Sequence, residues 1–410
     1  MNSLNKNSNQ PTTGKNRIIF LDVLRGFALV GIIYANSLSW SGIKFMPFTE
    51  IEALGNLETD KVLYQLLKFF VDTKFYTLFS LLFGVGFYMQ YARSKSKNDF
   101  NRMYLRRLAV LFLIGIIHAL IWSGDILTLY ALMGMVLWSL RELSSKQVFR
   151  LSILLYFFPL ILDIIYMYTF ASDMPSLPNT ALKVYPDMPP EMIVDGFRST
   201  HFLKVFGTNF HNLVWRWFDF IPSGRPFKVI GLFLMGSYLF QKEFITQTSK
   251  QFRYMLPLFI CGISFTAIAI NLNGSVSSFS KEWSNIVYKF THEIGQLTLG
   301  ISYISILSWV VDKYPTFPLF TMLKNYGRQS MSSYIGHTVF GILIFYPIIA
   351  FGYFGQWSLE NVFIAMTGVV IFQFIFCTIW FHFFSFGPIE WIWKCATYGK
   401  WYTIKKKKES

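Results

Sequence analysis

Apolar runs long enough to cross a bilayer recur along almost the whole chain, and no other feature of the sequence limits the fold so strongly. A helix needs roughly 20 apolar residues to cross the hydrocarbon core. Lipid also demands that backbone groups bond within the segment, which a helix does unaided. Ten stretches fit: 18–38, 74–91, 108–123, 126–140, 149–170, 228–241, 254–270, 295–311, 330–351 and 361–384. The fourth and sixth are short, and the sixth suits a re-entrant segment. The expectation is an all-α, polytopic transmembrane helix bundle of about ten spans. It forms one domain over 18–400, between polar tails at 1–17 and 401–410. Composition agrees, since only 14% of residues are charged against about 25% in soluble domains. The 12 Trp and 22 Tyr suit the headgroup level of a membrane.

The net charge of +15 would suggest nucleic acid in a soluble chain. Here the basic residues lie between apolar runs and at the tails, as in cytoplasmic loops. The expected partner is therefore the lipid bilayer, and no nucleic acid is inferred. Lys6, Lys15 and Arg17 precede the first run. Arg93, Lys95, Lys97, Arg102, Arg106 and Arg107 follow the second, and Lys405, Lys406, Lys407 and Lys408 close the chain. An even number of spans puts all three groups, and both termini, in the cytoplasm. Glu50, Glu52, Glu58 and Asp60 then fall outside.

The longest external segment is 171–225. Pro175, Pro178, Pro186, Pro189 and Pro190 break its first half. Its second half, 202–220, mixes aromatics with Lys204, His211 and Arg216, as an amphipathic helix on the outer interface would. Cys261, Cys377 and Cys395 form no CxxC pair, so neither a zinc site nor a disulfide framework is indicated. No HExxH or GxSxG motif occurs. The first 17 residues are polar and the run after them is of spanning length, so no cleavable signal is expected.

Ionisable groups inside spans cost roughly 2.5–3.5 kcal/mol each on insertion scales and so face partners or wet cavities. Asp22 and Arg25 share one face of the first run. They suit either an anion site or a self-satisfied ion pair. Asn36, further along, suits an interhelical hydrogen bond. Asp72 and Lys74 open the second run, where Gly84 and Gly86 read as close helix packing rather than a nucleotide loop. His118 lies about 16 Å beyond Arg107, and Asp125 follows in a Ser-Gly-Asp turn that suits a helix cap or a reactive carboxylate. His337 lies about 10 Å past Ser330, with Arg328 at the helix mouth. Both imidazoles should face the bundle interior and share one polar cavity, whereas His382 reads as structural.

Several separated motifs resemble the YeiB-like family of bacterial membrane proteins over nearly the whole chain. They are residues 21–28 (LDVLRGFA), 79–84 (FSLLFG), 115–131 with His118, Gly124-Asp125 and Tyr130-Ala131, Gly327-Arg328 with Tyr334, and 386–391 (FGPIEW). That resemblance implies a multi-pass protein of the bacterial plasma membrane. A wider resemblance joins the chain to integral-membrane acyltransferases, including the heparan acetyltransferase type. Many of these open with an Asp-x-x-Arg helix like Asp22 to Arg25. Many carry His fourteen residues after that Asp, where this chain and the heparan type have Asn, here Asn36. The Gly-Arg-x-Ser…Tyr-x-x-His pattern is similar to Gly327 through His337. No His stands between Asn36 and His118, where the heparan type has its catalytic one.

Two functions of different class follow. As an acyltransferase, the chain would bind acyl-CoA, such as acetyl-CoA, as co-substrate through Arg25 and Arg328. His118 or His337, with Asp125, would serve as base or acyl carrier, and the acceptor would be an envelope glycan or lipid. As a transporter or flippase, the same intramembrane charges would mark a substrate path. A homodimer is a candidate assembly. No tightly bound cofactor and no metal are expected.

Overall fold

The computed structural model describes residues 18–55, 57–94, 96–169, 188–220, 223–272 and 282–406. The expected tail 1–17, the prolines at 175, 178 and 186, Lys95, and Lys407 and Lys408 lie outside the described residues. Sixteen α-helices are described. They are α1 (Ile19–Trp40), α2 (Phe48–Glu52), α3 (Leu57–Leu66), α4 (Lys74–Arg93), α5 (Lys97–Ile121), α6 (Leu127–Ser139), α7 (Ser145–Thr169) and α8 (Pro190–Phe197). Then follow α9 (Phe202–Phe218), α10 (Arg225–Gln241), α11 (Thr248–Leu272), α12 (Trp283–Lys313), α13 (Pro318–Arg328), α14 (Ser330–Phe345), α15 (Leu359–Phe383) and α16 (Pro388–Tyr398). A π-helical turn, Leu67–Val71, joins α3 to the short bend before α4. Among the described residues no strand occurs, only one isolated bridge between Phe384 and Lys405.

Six helices are long and apolar enough to cross a membrane: α1, α5, α7, α11, α12 and α15. Each overlaps an apolar run of the sequence, although α5 begins at Lys97 rather than the expected 108. The other four runs are also helical, as α4 with 20 residues, α6 with 13, α10 with 17 and α14 with 16. At 1.5 Å per residue, α6 rises only about 20 Å, less than the roughly 30 Å of an average bilayer core. Helix α10 is enclosed rather than lipid-facing: Val229 through Ser237 are all buried.

Close backbone approach sets the helix pairs that matter for the site. A Cβ on Gly26 of α1 would lie 2.1 Å from the Leu323 carbonyl oxygen of α13, and one on Gly327 would lie 1.9 Å from the Asp22 carbonyl oxygen. Helices α1 and α13 therefore meet through glycines on both sides, and Arg25 and Arg328, each adjacent to one of them, are carried to the same place. Helices α4 and α10 meet likewise, with Gly84 against Phe233 and Gly236 against Leu81. Gly86 has open space and plays no such part, so close packing holds for the first glycine of that pair and not for the second.

The acidic loop after α1 is largely helical, with Glu50, Glu52 and Glu58 exposed and Asp60 turned inward. Asp60 is buried, and its carboxylate accepts from the Leu359 and Glu360 amides at 3.1 and 3.0 Å, capping α15. The amphipathic segment is α9, docked on the end of α5. Asn209 accepts from the Ser123 amide at 2.6 Å and donates to the Ala119 and Leu120 carbonyls. Its outer face carries the exposed Phe202, Leu203, Phe206 and Phe210. Helix α12 begins twelve residues before the expected 295. Those extra turns bring in two buried cross-helix ion pairs, Lys289 with Asp163 of α7 at 2.5 Å and Glu293 with Lys228 of α10.

Candidate functional site: a cavity with two cationic ends

A cavity of about 950 Å³ runs through the bundle between α1, α4, α5, α6, α10 and α14. Helix α4 lines it from Thr73, just before its first residue, to Arg93 at its last, so the cavity extends roughly 30 Å along that helix. Nine Lys and Arg but only four Asp and Glu line its wall. The excess positive charge makes it a site for anions, because a low-dielectric wall strengthens each charge.

One end gathers Arg25, Arg93, Arg107, Arg328 and Lys394. Arg25 donates to Asp22 at 3.0 Å, so the ion pair forms and both partners still line the cavity. Arg328 donates to the Ser385 carbonyl at 3.3 Å and lies 3.9 Å over the Phe381 ring. Arg107 stacks 3.8 Å over Trp393. Burial pushes the Lys394 ammonium down to about 8, and its Nζ rests 3.5 Å over Phe386. Glu390 of α16 caps α14, accepting from the Met331 and Ser332 amides at 2.7 and 3.1 Å. Burial raises its carboxyl above the usual range.

The middle is apolar and aromatic, with Tyr76, Phe79, Phe83, Tyr130 and Tyr334 on the wall. Tyr130 is fixed by a 2.6 Å hydrogen bond to Ser80. At the far end lie Asn36, Lys44, Asp72, Arg216, Asp219 and Arg225. Arg216 donates to the Ser123 carbonyl at 3.1 Å. Burial first and Arg225 second hold its guanidinium down at about 10. Lys44 is exposed, but into this enclosed space. Burial, then the positive fields of Arg216 and Arg225, bring its ammonium down to about 8, against weaker support from Asp72 and Asp219.

The two singled-out histidines are buried and neither lines the cavity. His118 Nδ1 is 2.8 Å from Asp125 Oδ1, and Nε2 is 2.9 Å from Thr338 Oγ1. An ionised carboxylate only accepts, so Nδ1 donates to Asp125. Asp125 also accepts from the Leu127 and Thr128 amides at 3.1 and 2.8 Å, capping α6. His337 Nε2 bonds the Tyr326 hydroxyl, which donates to Gln373 at 2.9 Å. The two imidazoles are neighbours across Tyr334, whose ring centroid is 5.2 Å from one and 6.5 Å from the other. The expected shared polar cavity is not there: the two histidines are close but enclosed in packed side chains, and of these residues Tyr334 reaches the cavity.

Comparison with known proteins adds the family. Residues 239–400 match a family model described as a protein of unknown function, DUF418. The chain is 29% identical over 418 residues to the uncharacterized protein YxaH of Bacillus subtilis, covering 97% of this chain and 98% of that one. It is 25% identical over 388 residues to the uncharacterized protein YeiB of Escherichia coli, covering 93% and 96%.

The chain is similar to YxaH and YeiB along almost its whole length, and its residues 239–400 are similar to the DUF418 family of unknown function.

The matched region runs from the end of α10 through α16 and supplies Arg328, Tyr334, Glu390 and Lys394 to the cavity of this YeiB-like chain. Of the residues expected from sequence, Asp22, Arg25, Asn36 and Arg328 line the cavity, while His118, Asp125 and His337 stand behind its wall. The sequence reading missed Lys44, Arg107, Arg216, Arg225 and Lys394 as cavity groups. Each lies beyond or at the end of an apolar run, where a basic residue ordinarily signals only topology.

Proposed function

We propose that this YeiB-like protein is a membrane-embedded acyltransferase of the bacterial plasma membrane. An acyl-CoA, acetyl-CoA in the simplest case, binds at the Arg25 end of the cavity from the cytoplasm. Its acyl group is delivered at the Lys44 end to an envelope glycan or lipid. One observation carries this reading. Arg25 and Arg328, which sequence motifs set 303 residues apart, line one end of a single cavity together with Arg93, Arg107 and Lys394. That end suits a phosphate-rich head, since guanidinium forks match phosphate oxygens in a way an ammonium cannot. The aromatic middle suits a long thin arm that carries a thioester away from the phosphates.

In the transfer, an acceptor hydroxyl or amine attacks the thioester carbonyl carbon. The carbon–sulfur bond breaks, the CoA thiolate leaves, and the acceptor's proton passes to the thiolate by way of a base. Asp72 and Asp219 are the carboxylates on the wall at that end. In this reading His118 and His337 join α5, α13, α14 and α15 and keep Tyr334 in place.

The test uses the full chain in lipid nanodiscs. Acetyl-CoA should bind, and labelled acetyl-CoA should label an envelope extract. Arg25→Lys and Arg328→Lys, which keep charge but lose the fork, should each weaken acetyl-CoA binding about tenfold or more while the thermal unfolding profile stays near wild type. Wild-type protein that neither binds acetyl-CoA nor labels the extract would refute the proposal. The two-ended cavity also suits a carrier of anionic molecules, and vesicle uptake with no covalent product would favour that second reading.

A further inference from the structure

The far end of the cavity holds cations that the fold does not satisfy. Among the described residues, Lys44 and Arg225 make no hydrogen bond or ion pair. Lys44 is the middle residue of a 3₁₀ turn, Ile43–Phe45, preceded by Gly42 at φ +88°, and it lines the cavity. Arg225 is the first residue of α10, and Arg216 belongs to the last turn of α9, so three separate elements converge there. The one contact of the Lys44 ammonium among the described residues is the Phe45 ring, 5.8 Å away, and a fold ordinarily gives a partly desolvated ammonium a charged or hydrogen-bonding partner. Three carboxylates are at hand, Asp72, Asp219 and, on the side of Arg216 and Arg225, Asp125, and at Lys44 the repulsion from Arg216 and Arg225 outweighs the support of Asp72 and Asp219. Asp72 itself sits in irregular backbone. A π-helical turn ends at Val71, and Thr73, a non-glycine residue, has φ +65°. Such strain is held where surrounding structure fixes it, and it gathers at ligand sites.

We infer that Lys44, Arg216 and Arg225 form a second anion site, which takes a phosphate group on the molecule that receives the acyl group. The phosphate site follows from the geometry alone; that its occupant is the acyl acceptor rests on the reading proposed above. Two guanidinium groups and one ammonium around a shared space match a phosphate, with forks for two oxygens and a point charge for the third. Asp72 lines the same end and stands where a hydroxyl near that phosphate would need a base. The acceptor is then a phosphorylated polyol, either as a lipid headgroup or as a soluble molecule from the outer side. The two cationic ends would divide the cavity between donor phosphates and acceptor phosphate.

The experiment is a thermal-shift titration of the full chain, with acetyl-CoA present so that the Arg25 end is filled. One arm adds sn-glycerol 3-phosphate to protein in phosphatidylcholine nanodiscs. The other dopes the nanodiscs with phosphatidylglycerol. A saturable shift in the first arm identifies a soluble phosphate, and a shift in the second alone identifies a lipid headgroup. Either supports the site if Lys44→Gln and Arg225→Gln each weaken the effect about 10- to 100-fold and leave acetyl-CoA affinity unchanged. Should a glutamine variant not fold, Lys44→Arg serves instead. Binding to wild type should fall as pH rises above about 8, where the Lys44 ammonium is lost beside Arg216, Arg225, Asp72 and Asp219. In Lys44→Arg that alkaline fall should disappear. No shift in either arm, or shifts indifferent to both variants and to pH, would overturn the inference. Phosphate binding without acetyl-CoA binding would instead keep this site and sink the acyl-transfer reading.

Discussion

Asp125 serves two elements with one carboxylate, capping α6 and holding the His118 Nδ1. Asp125→Ala should therefore cost about 2–4 kcal/mol in unfolding measurements, from a lost cap of about 1 kcal/mol and a buried imidazole left unpaired at about 1–3 kcal/mol. His118→Gln should lower the melting temperature while the folded fraction keeps its transfer activity. Full stability with abolished activity would return His118 to the chemistry. Both residues stood out in the sequence because ionisable groups are rare in apolar runs. Their pairing was not legible, since seven residues and a helix–helix turn separate them and no periodicity rule joins such positions. Lys44 was illegible for another reason. A lysine just past a span reads as an ordinary flanking charge, and only its place on the cavity wall shows otherwise. Its ammonium titrates at about 8 in the folded chain against an ordinary 10.5. The unfolded chain holds the extra proton between those values, so the ligand-free protein should gain stability as pH rises through that window. Lys44→Gln should flatten the gain, which equilibrium unfolding across that range would measure.

The apolar runs located ten helices, six of them of spanning length, because burial in lipid or in the bundle core leaves a strong, local compositional trace. Helices α13 and α16 left none, because each is only 11 residues long and amphipathic, too short and too polar to read as a span. Proline at the first position of both, Pro318 and Pro388, was the available start signal. The first three turns of α12 were missed because Lys289, His292 and Glu293 break the apolar pattern there, and only the partners on α7 and α10 make those charges tolerable. The glycines separate into legible and illegible in the same way. Gly84→Ala should destabilise by about 1–3 kcal/mol, as the added methyl meets the Phe233 carbonyl of α10. Gly86→Ala, two residues on and facing open space, should be neutral or mildly stabilising. Thermal unfolding of the two variants side by side checks the packing of α4 on α10.

Taken as one body, the bundle places the starts of α1 and α5 and the end of α4 at its Arg25 end, and α9 with the Lys44 turn at the other. The charge bias of the flanking residues gives the expectation that the Arg25 end is cytoplasmic. A cysteine at Arg102 should therefore react with an impermeant maleimide only after the cells are opened. One at Leu203, on the exposed face of α9, should sit at the outer headgroup level. The two clusters of fixed positive charge also have a consequence for membrane voltage. A phosphate-bearing molecule carried from one end to the other would exchange about 2.3 kcal/mol with the membrane potential per charge per 100 mV. A donor whose phosphates stay at the Arg25 end, handing over an uncharged acetyl group to an acceptor whose phosphate stays at the Lys44 end, moves no net charge across the field. Turnover in proteoliposomes should then be indifferent to an imposed potassium diffusion potential, and a steep response to it would mean that the anion itself makes the crossing.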